Sequence, residues 1–387
     1  MIKSKIIENK NVLIVSNCTW YLYNFRDDLL NSLRKRGYNL ILLSPIDKYY
    51  KKISKYFINK EDLLLKRGSE NPILEILTIF HMLFVYIKYR PDIVHHFTIK
   101  PCFYGGVIAR LLGIKNTINH ITGLGPSFYS NRLKITITNK LLHPFFKYSF
   151  NKKHNLINIF HNHSDKLTFI NKGIASKENA RTIPGSGVNI EYFKNNQSRN
   201  FSKDIKLLFP ARIIKEKGII ELIKACKNLW EENYNFTLNI AGEIDKQNKS
   251  HLKNEDFENI IKNKNIIFLG KCENMQKVYQ EMDIVILPSW REGLSKSLLE
   301  AAAMELPIIT TNVPGCKDII TDKYSGLVVP AKNKDKLKLA IKNYLDNPKL
   351  AIKYGRNARK TISEKFTVQI INKKILSIYE EFHYLEK

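Results

Sequence analysis

Two hydrophobic patterns take turns along the chain. Short unbroken apolar runs alternate with longer stretches in which apolar side chains recur every three or four positions. The first pattern predicts parallel strands buried on both faces, the second amphipathic helices. Asn11–Ser16 (NVLIVS) predicts a strand. The segment NCTWYLYN predicts a turn after it, and Phe25–Arg36 a helix closed by Gly37. Tyr38–Leu43, Pro91–His96 and Asn116–Ile121 predict further strands, with a helix at Gly105–Leu112. A second series opens near residue 205. Strands are predicted at Ile205–Phe209, Phe236–Ile240, Ile266–Leu269, Asp283–Leu287, Pro307–Thr311 and Gly326–Val329, and helices at Ile219–Trp230 and Ser295–Met304. Repeated βα units predict α/β architecture, with a Rossmann-like, doubly wound parallel sheet in each half. Between the halves lies Ile183–Asp204, rich in Gly, Ser and Asn, which reads as the linker. The expected domains are therefore 1–190 and 191–369. Two such domains on one linker are expected to face a cleft, with ligands outside the carboxyl ends of the strands.

One stretch, Ile73 to Ile87, is apolar enough to invite comparison with a membrane span. It is shorter than the ~20 residues a span needs and contains Glu75 and His81, so a buried core helix is expected. The N-terminal apolar run is short and reads as a strand rather than a signal peptide. The five cysteines (Cys18, Cys102, Cys226, Cys272 and Cys316) are scattered, with no C-x-x-C, which argues against a zinc site or a disulfide framework and fits a reducing cytosol.

Charge alters this picture. The formal net charge is +27 over 387 residues. Residues 1–190 hold 29 basic and 11 acidic side chains, twice the surplus of the remainder. Such asymmetry favours a polyanion or an anionic membrane surface as partner of the front half. Nucleic acid is not expected, because no helix-turn-helix, zinc-finger or RNA-binding signature accompanies the charge. Two front-half segments interleave bases with aromatics: Tyr49–Phe57 (YYKKISKYF), and Phe128–His154 around Phe145-Phe146-Lys147-Tyr148. They are the expected contacts with anionic lipid. Helices packed in the domain with snorkelling lysines are the alternative.

Candidate chemistry concentrates in the second half. In PARIIKEKG (Pro210–Gly218), Arg212 and Lys217 follow a strand and precede a helix. A planar fork and a point charge in such a loop suit a diphosphate. In LPSWREGLSKSLLEAAAMELP (Leu287–Pro307), Glu292 precedes a helix and Glu300 lies within it. The helix N-terminus favours phosphate, and a carboxylate within the helix suits two ribose hydroxyls. Taken singly, each also reads as an ordinary surface charge.

Together these motifs resemble the retaining glycosyltransferases of family 4, which have the two-domain GT-B fold. The Glu-x7-Glu spacing of Glu292 and Glu300 carries the resemblance, with Arg212, Lys217, LPSWREG, EAAAMELPIITTNVPGC and SGLVVP around it. In the front half, NCTWYLYNFRDDL, HHFTIKPCFYGG, HITGLG and PGSGVNIEYF look like the subgroup that builds capsule, O-antigen and lipid-linked glycans.

The resemblance implies a UDP-sugar as donor substrate, no cofactor, and retention of configuration. It implies transfer of a hexose or N-acetylhexosamine, N-acetylgalactosamine first, to a lipid-diphosphate-linked saccharide at the cytoplasmic face of the membrane. Arg212 and Lys217 would bind the diphosphate, Glu300 the ribose, and Glu292 the transferred sugar. The backbone of Gly293, Leu294 and Ser295 would hold hydroxyls or phosphate. Gly242 would allow close approach of the nucleotide, and Gly187 would line the cleft. No Asp-x-Asp is present to hold a metal, so metal-independent transfer is expected. In the front half, Asn17 replaces a Gly-Gly loop of better-known members and is a candidate ligand contact. Arg26, His95, His96, Lys100, His120 and the Gly123–Gly125 turn are candidates for the acceptor or the donor phosphate. The last helix, Phe366–Lys387, is expected to cross back to the front domain. The competing enzyme class is a non-hydrolysing UDP-sugar epimerase, which shares the two-domain shape.

Overall fold

The computed structural model describes residues 9–385 except 67, 68, 70, 125–132, 196–199, 202, 246, 247, 249 and 253, and the backbone alone of 133–141 and 254. Gly125 and the start of the basic aromatic segment at 128–132 thus lie outside the described residues. The chain forms two compact units. One runs to Ser186 and takes the chain back from Ile371; the other is Gly187–Ile370.

The first unit holds seven strands: β1 (Asn11–Val15), β2 (Asn39–Ser44), β3 (Phe57–Asp62), β4 (Ile93–Phe97), β5 (Asn116–Ile121), β6 (Asn155–Phe160) and β7 (Ala180–Thr182). Their order is β3-β2-β1-β4-β5-β6-β7, every pairing parallel. The period-2 alternation of a strand feeds two cores at once. Val12 and Ile14 point to the layer that contains Leu29, Leu33, Ile375 and Tyr379, whereas Leu13 and Val15 point to that of Met82, Val85 and Ile108. The final helix, Val368–Tyr384, packs on this unit. Arg36 holds Glu380 at 2.5 Å, and Arg181 grips Glu381 with two bonds of 2.6 and 2.7 Å.

The second unit repeats the plan with six strands: β8 (Lys206–Pro210), β9 (Thr237–Ala241), β10 (Ile266–Gly270), β11 (Ile284–Leu287), β12 (Ile308–Thr311) and β13 (Leu327–Val329). The order is β10-β9-β8-β11-β12-β13, again all parallel. Both sheets thus reverse direction between their first and fourth strands, the doubly wound order that leaves a crevice at the switch point. The predicted linker is divided: it belongs to the first unit as far as Ser186, and its described residues from Gly187 are fastened to this one. Val188 bridges Thr367, and the Arg359 guanidinium donates to the Phe193 carbonyl at 3.0 Å and the Ile190 carbonyl at 3.3 Å.

Three sequence expectations change. NCTWYLYN is not a turn: the helix spans Thr19–Lys35. Its cap is supplied from afar by Asp47, which accepts from the Trp20 N–H at 3.0 Å and from the Thr19 hydroxyl. Strands β3, β6 and β7 were not anticipated, and FINKED at β3 hides because an edge strand exposes its polar residues. Tyr49–Phe57 folds as a short helix and turn that bury Ile53 and Tyr56 and leave Lys51, Lys52 and Lys55 exposed, the packed arrangement given above as the alternative. The helix Pro72–Tyr89 is not a buried core helix, because the sheet covers one side of it and leaves a second apolar side bare.

Candidate active site

The site is assembled in the second unit, where β8 and β11 lie side by side with Ile284 opposite Leu207 and Val285 opposite Leu208. This pairing brings two loops far apart in sequence to the same switch point. Arg212 and Lys217 follow β8; Ser289 and Glu292 follow β11. The loops touch through backbone. The Trp290 N–H donates to the Glu216 carbonyl at 2.8 Å. Gly218 adopts φ +74°, and a Cβ there would stand 2.1 Å from the Pro288 carbonyl oxygen, so only glycine permits this approach.

At the junction the Lys217 ammonium meets a Glu292 carboxylate oxygen at 2.5 Å, and the Ser289 hydroxyl donates to the same oxygen at 2.7 Å. Both charged side chains are largely buried, 17% and 11% exposed, so water screens them little. The loop after β12 backs them. Gly315, at φ +78°, would place a Cβ 2.6 Å from the Glu292 carbonyl oxygen. Arg212 is paired with Asp245 from the loop after β9. Gly242 opens that loop, and the space a Cβ would need is taken by the Ala211 carbonyl oxygen at 2.0 Å. Packing of the chain on itself therefore accounts for this glycine.

Glu300 lies in the helix Lys296–Ala303 and is buried. Its carboxylate has the Tyr279 hydroxyl at 3.3 Å and the Lys296 ammonium at 3.7 Å. Burial pushes its pKa above the ordinary carboxylate value, with Lys296 and then Tyr279 acting in the opposite sense. The same helix is capped by the Ser295 hydroxyl, which accepts from the Leu298 N–H at 3.4 Å. The Ser295 N–H donates to the Gly315 carbonyl at 3.2 Å. Ser295 thus builds the helix start, and its N–H and hydroxyl are engaged within the protein. Gly293 and Leu294 are half-buried just before it.

Arg212, Lys217, Glu292, Glu300, Gly293, Leu294, Ser295 and Gly242 therefore share one unit and one end of one sheet. Gly187 is in this unit too, but buried: a Cβ there would stand 2.8 Å from the Thr367 and Val368 backbone, so a tight chain crossing explains it. Sequence reading missed Asp245, Ser289 and Tyr279. Ser289 stood in plain view beside the motif; Asp245 and Tyr279 carried no signal, since only folding sets them beside Arg212 and Glu300.

The front-half candidates fall in the first unit. Asn17 is half-buried after β1 and accepts from the Cys18 thiol at 3.5 Å. Arg26 and the histidines are internal. Arg26 is 1% exposed. Its guanidinium donates to the Tyr21 hydroxyl at 3.0 Å, the Gly185 carbonyl at 3.3 Å, His120 Nε2 at 2.9 Å and His161 Nε2 at 3.1 Å. It does not reach out to a phosphate. His120 is wholly buried on β5 in that cluster, within 3.4 Å of His95, which in turn bonds the Tyr379 hydroxyl at 2.8 Å. His96 is held by Tyr86 at 2.6 Å and Asn119 at 2.7 Å. Lys100 is paired with Glu75 at 2.5 Å. Arg26 and the three histidines pack the interior of the unit, whereas Lys100 and Gly123 are half-buried.

Comparison with known proteins matches this arrangement at two places. Residues 192–361 match the model of the glycosyl transferases group 1, and residues 11–162 that of the glycosyl transferase 4-like family. A Staphylococcus aureus capsular polysaccharide biosynthesis glycosyltransferase, CapM, is 29% identical over 54% of this chain and 57% of its own. The Campylobacter jejuni N,N'-diacetylbacillosaminyl-diphospho-undecaprenol alpha-1,3-N-acetylgalactosaminyltransferase is 24% identical over 93% of this chain and 95% of its own. Among solved structures, Anabaena HepE in complex with UDP and glucose shares the fold, with a TM-score of 0.76 and 15% identity over 95% of this chain and 99% of that one. A Rickettsia africae glycosyltransferase does so with a TM-score of 0.74 and 20% identity over 96% and 98%. With both units matched in order, the chain belongs to the group 1 and 4-like glycosyl transferase families and is a glycosyltransferase.

Proposed function

We propose that the protein moves a hexose or N-acetylhexosamine, N-acetylgalactosamine first, from a UDP-sugar to a polyprenyl-diphosphate-linked saccharide, with retention and without a metal, as a peripheral enzyme on the cytoplasmic face of the membrane. The observation that carries the reading is the Lys217–Glu292 pair at the switch point of the second sheet, with Glu300 on the helix behind it. A cation anchored there meets the charge that gathers on a departing nucleoside diphosphate. Glu300, buried and backed by Tyr279, suits the paired hydroxyls of a ribose. The activity named for the Campylobacter relative supports the acceptor class and the sugar, and the UDP complex of HepE supports the donor class.

Steady-state release of UDP from a panel of UDP-sugars, with a synthetic polyprenyl-diphosphate saccharide and excess EDTA, tests the reading. Acceptor-dependent release in EDTA is expected, fastest with UDP-N-acetylgalactosamine. Loss in EDTA with rescue by magnesium overturns the metal-free mechanism. An epimerised sugar formed without acceptor assigns the chain to the other enzyme class. Glu300→Gln is expected to raise the donor KM about 10- to 100-fold, the effect of weakening charge-assisted bonds, with kcat largely kept. An unchanged KM removes Glu300 from the ribose site.

A further inference from the structure

Three cations of the candidate site each face an acid of the same unit. Lys217 is set against Glu292, Lys296 against Glu300, and Arg212 against Asp245. An incoming diphosphate therefore competes with resident carboxylates, and the three pairs are unequal. Glu292 is largely buried, and the oxygen that meets Lys217 also accepts from the Ser289 hydroxyl. Glu300 is buried on the same helix as Lys296, one turn further on. The Arg212–Asp245 pair is the open one, its side chains 41% and 21% exposed. Among the described residues the two side chains meet through one bond, from Arg212 Nη1 to a single Asp245 oxygen. Nε and Nη2 of the same fork remain for a second anion. A pair exposed to this degree is weak and screened by salt, whereas a diphosphate offers the fork two charges and several oxygens.

The backbone brings Asp245 to this place. The loop after β9 lies along the Arg212–Lys217 loop at both of its ends. The Ile213 N–H donates to the Glu243 carbonyl at 3.0 Å, and the Lys215 N–H to the Ser250 carbonyl at 3.1 Å. Between them Ile214 bridges His251, and the Ser250 hydroxyl donates to the Glu216 carboxylate. Asp245 is two residues beyond Glu243, so these contacts keep it within reach of Arg212 whether or not the ion pair is closed.

We infer that Asp245 is a resident counter-ion that holds Arg212 before the donor arrives, yields it to the donor's diphosphate, and takes it back as UDP leaves. Its competition weakens the hold on donor and product alike and hastens product release. Asp245 acts through Arg212 and is a positioning residue. The inference rests on the donor reading proposed above and names the group that opposes it.

Calorimetric titration of the full chain with UDP, at low and at high sodium chloride, tests it. Asp245→Asn keeps the side-chain shape and removes the charge. At low salt it is expected to bind UDP about two- to fivefold tighter than the wild type, the exchange of one partly exposed ion pair. The difference should narrow at high salt, and the melting temperature should not change. In an Arg212→Ala background the gain should shrink, because the cation competed for is gone. An equal gain in both backgrounds is repulsion at a distance and overturns the competition. Weaker binding by Asp245→Asn would make Asp245 a support of Arg212; that result, or unchanged binding, overturns the inference and leaves the donor reading standing. UDP binding by neither the wild type nor Asp245→Asn overturns both.

Discussion

Lys217→Ala is expected to lower kcat at least ~100-fold, the loss typical when one preorganised donor to a developing negative charge is removed. The expectation follows from position. The ammonium is held by a largely buried carboxylate, Glu292, in a loop that Gly218 and the Trp290–Glu216 backbone bond fix against β11. The charge therefore needs no reorganisation when the diphosphate leaves. Removing one partner of such a pair also strands the other, at up to ~3–5 kcal/mol of stability, so melting must be followed alongside turnover. Glu292→Gln keeps an acceptor for the Ser289 hydroxyl and relieves the stranded charge. If Lys217 served only to neutralise Glu292, the Lys217→Ala/Glu292→Gln double variant would recover the turnover of Glu292→Gln alone. It is expected to stay as slow as Lys217→Ala. Near-normal kcat in the alanine variant would end the assignment.

The second large effect is on stability. The first unit is expected to unfold progressively as pH falls below about 6.5. His95, His96, His120 and His161 are buried in it. Burial holds all four below the usual histidine range, His96 at about 4. The Arg26 cation adds to the effect at His95, His120 and His161. In the unfolded chain these rings take up a proton near 6.5; in the folded unit they do not. The stability they carry is therefore complete above the unfolded pKa and is lost as pH falls towards the folded values. Each ring that stays neutral adds a slope approaching ~1.4 kcal/mol per pH unit. The second unit contains a single histidine, His251, and is the internal control. Urea midpoints measured between about pH 7.5 and pH 5.5 should diverge for the two units, the first falling faster. Parallel midpoints would show that the cluster titrates alike in both states.

The contrast between these two groups explains what was legible beforehand. Arg212, Lys217 and Glu292 stood out because each sits between a strand end and a helix start, positions that punctuate the sequence locally, and Glu300 because it follows Glu292 by eight residues. The histidines carried no comparable mark. A polar residue near a strand end reads the same whether it faces ligand or core, and His120 and Arg26 are internal because β4, β5, β6 and the last helix close around them. The helix Pro72–Tyr89 was misread for the same reason. Its apolar residues exceed what one packed face requires, but periodicity alone does not say which faces are covered.

What the sequence determined by itself was the succession of βα units, their division into two halves and the residue types of the candidate site, because strand burial and helix amphipathicity are local periodic properties. Tertiary structure alone decided that β8 lies beside β11, which joins Lys217 to Glu292 across 75 positions. It also decided that Asp47 caps a helix 27 residues before it, that Asp245 holds Arg212, and that one helix keeps a bare apolar flank. Each of these depends on which elements become neighbours, and that choice is made by the whole sheet rather than by any segment of it.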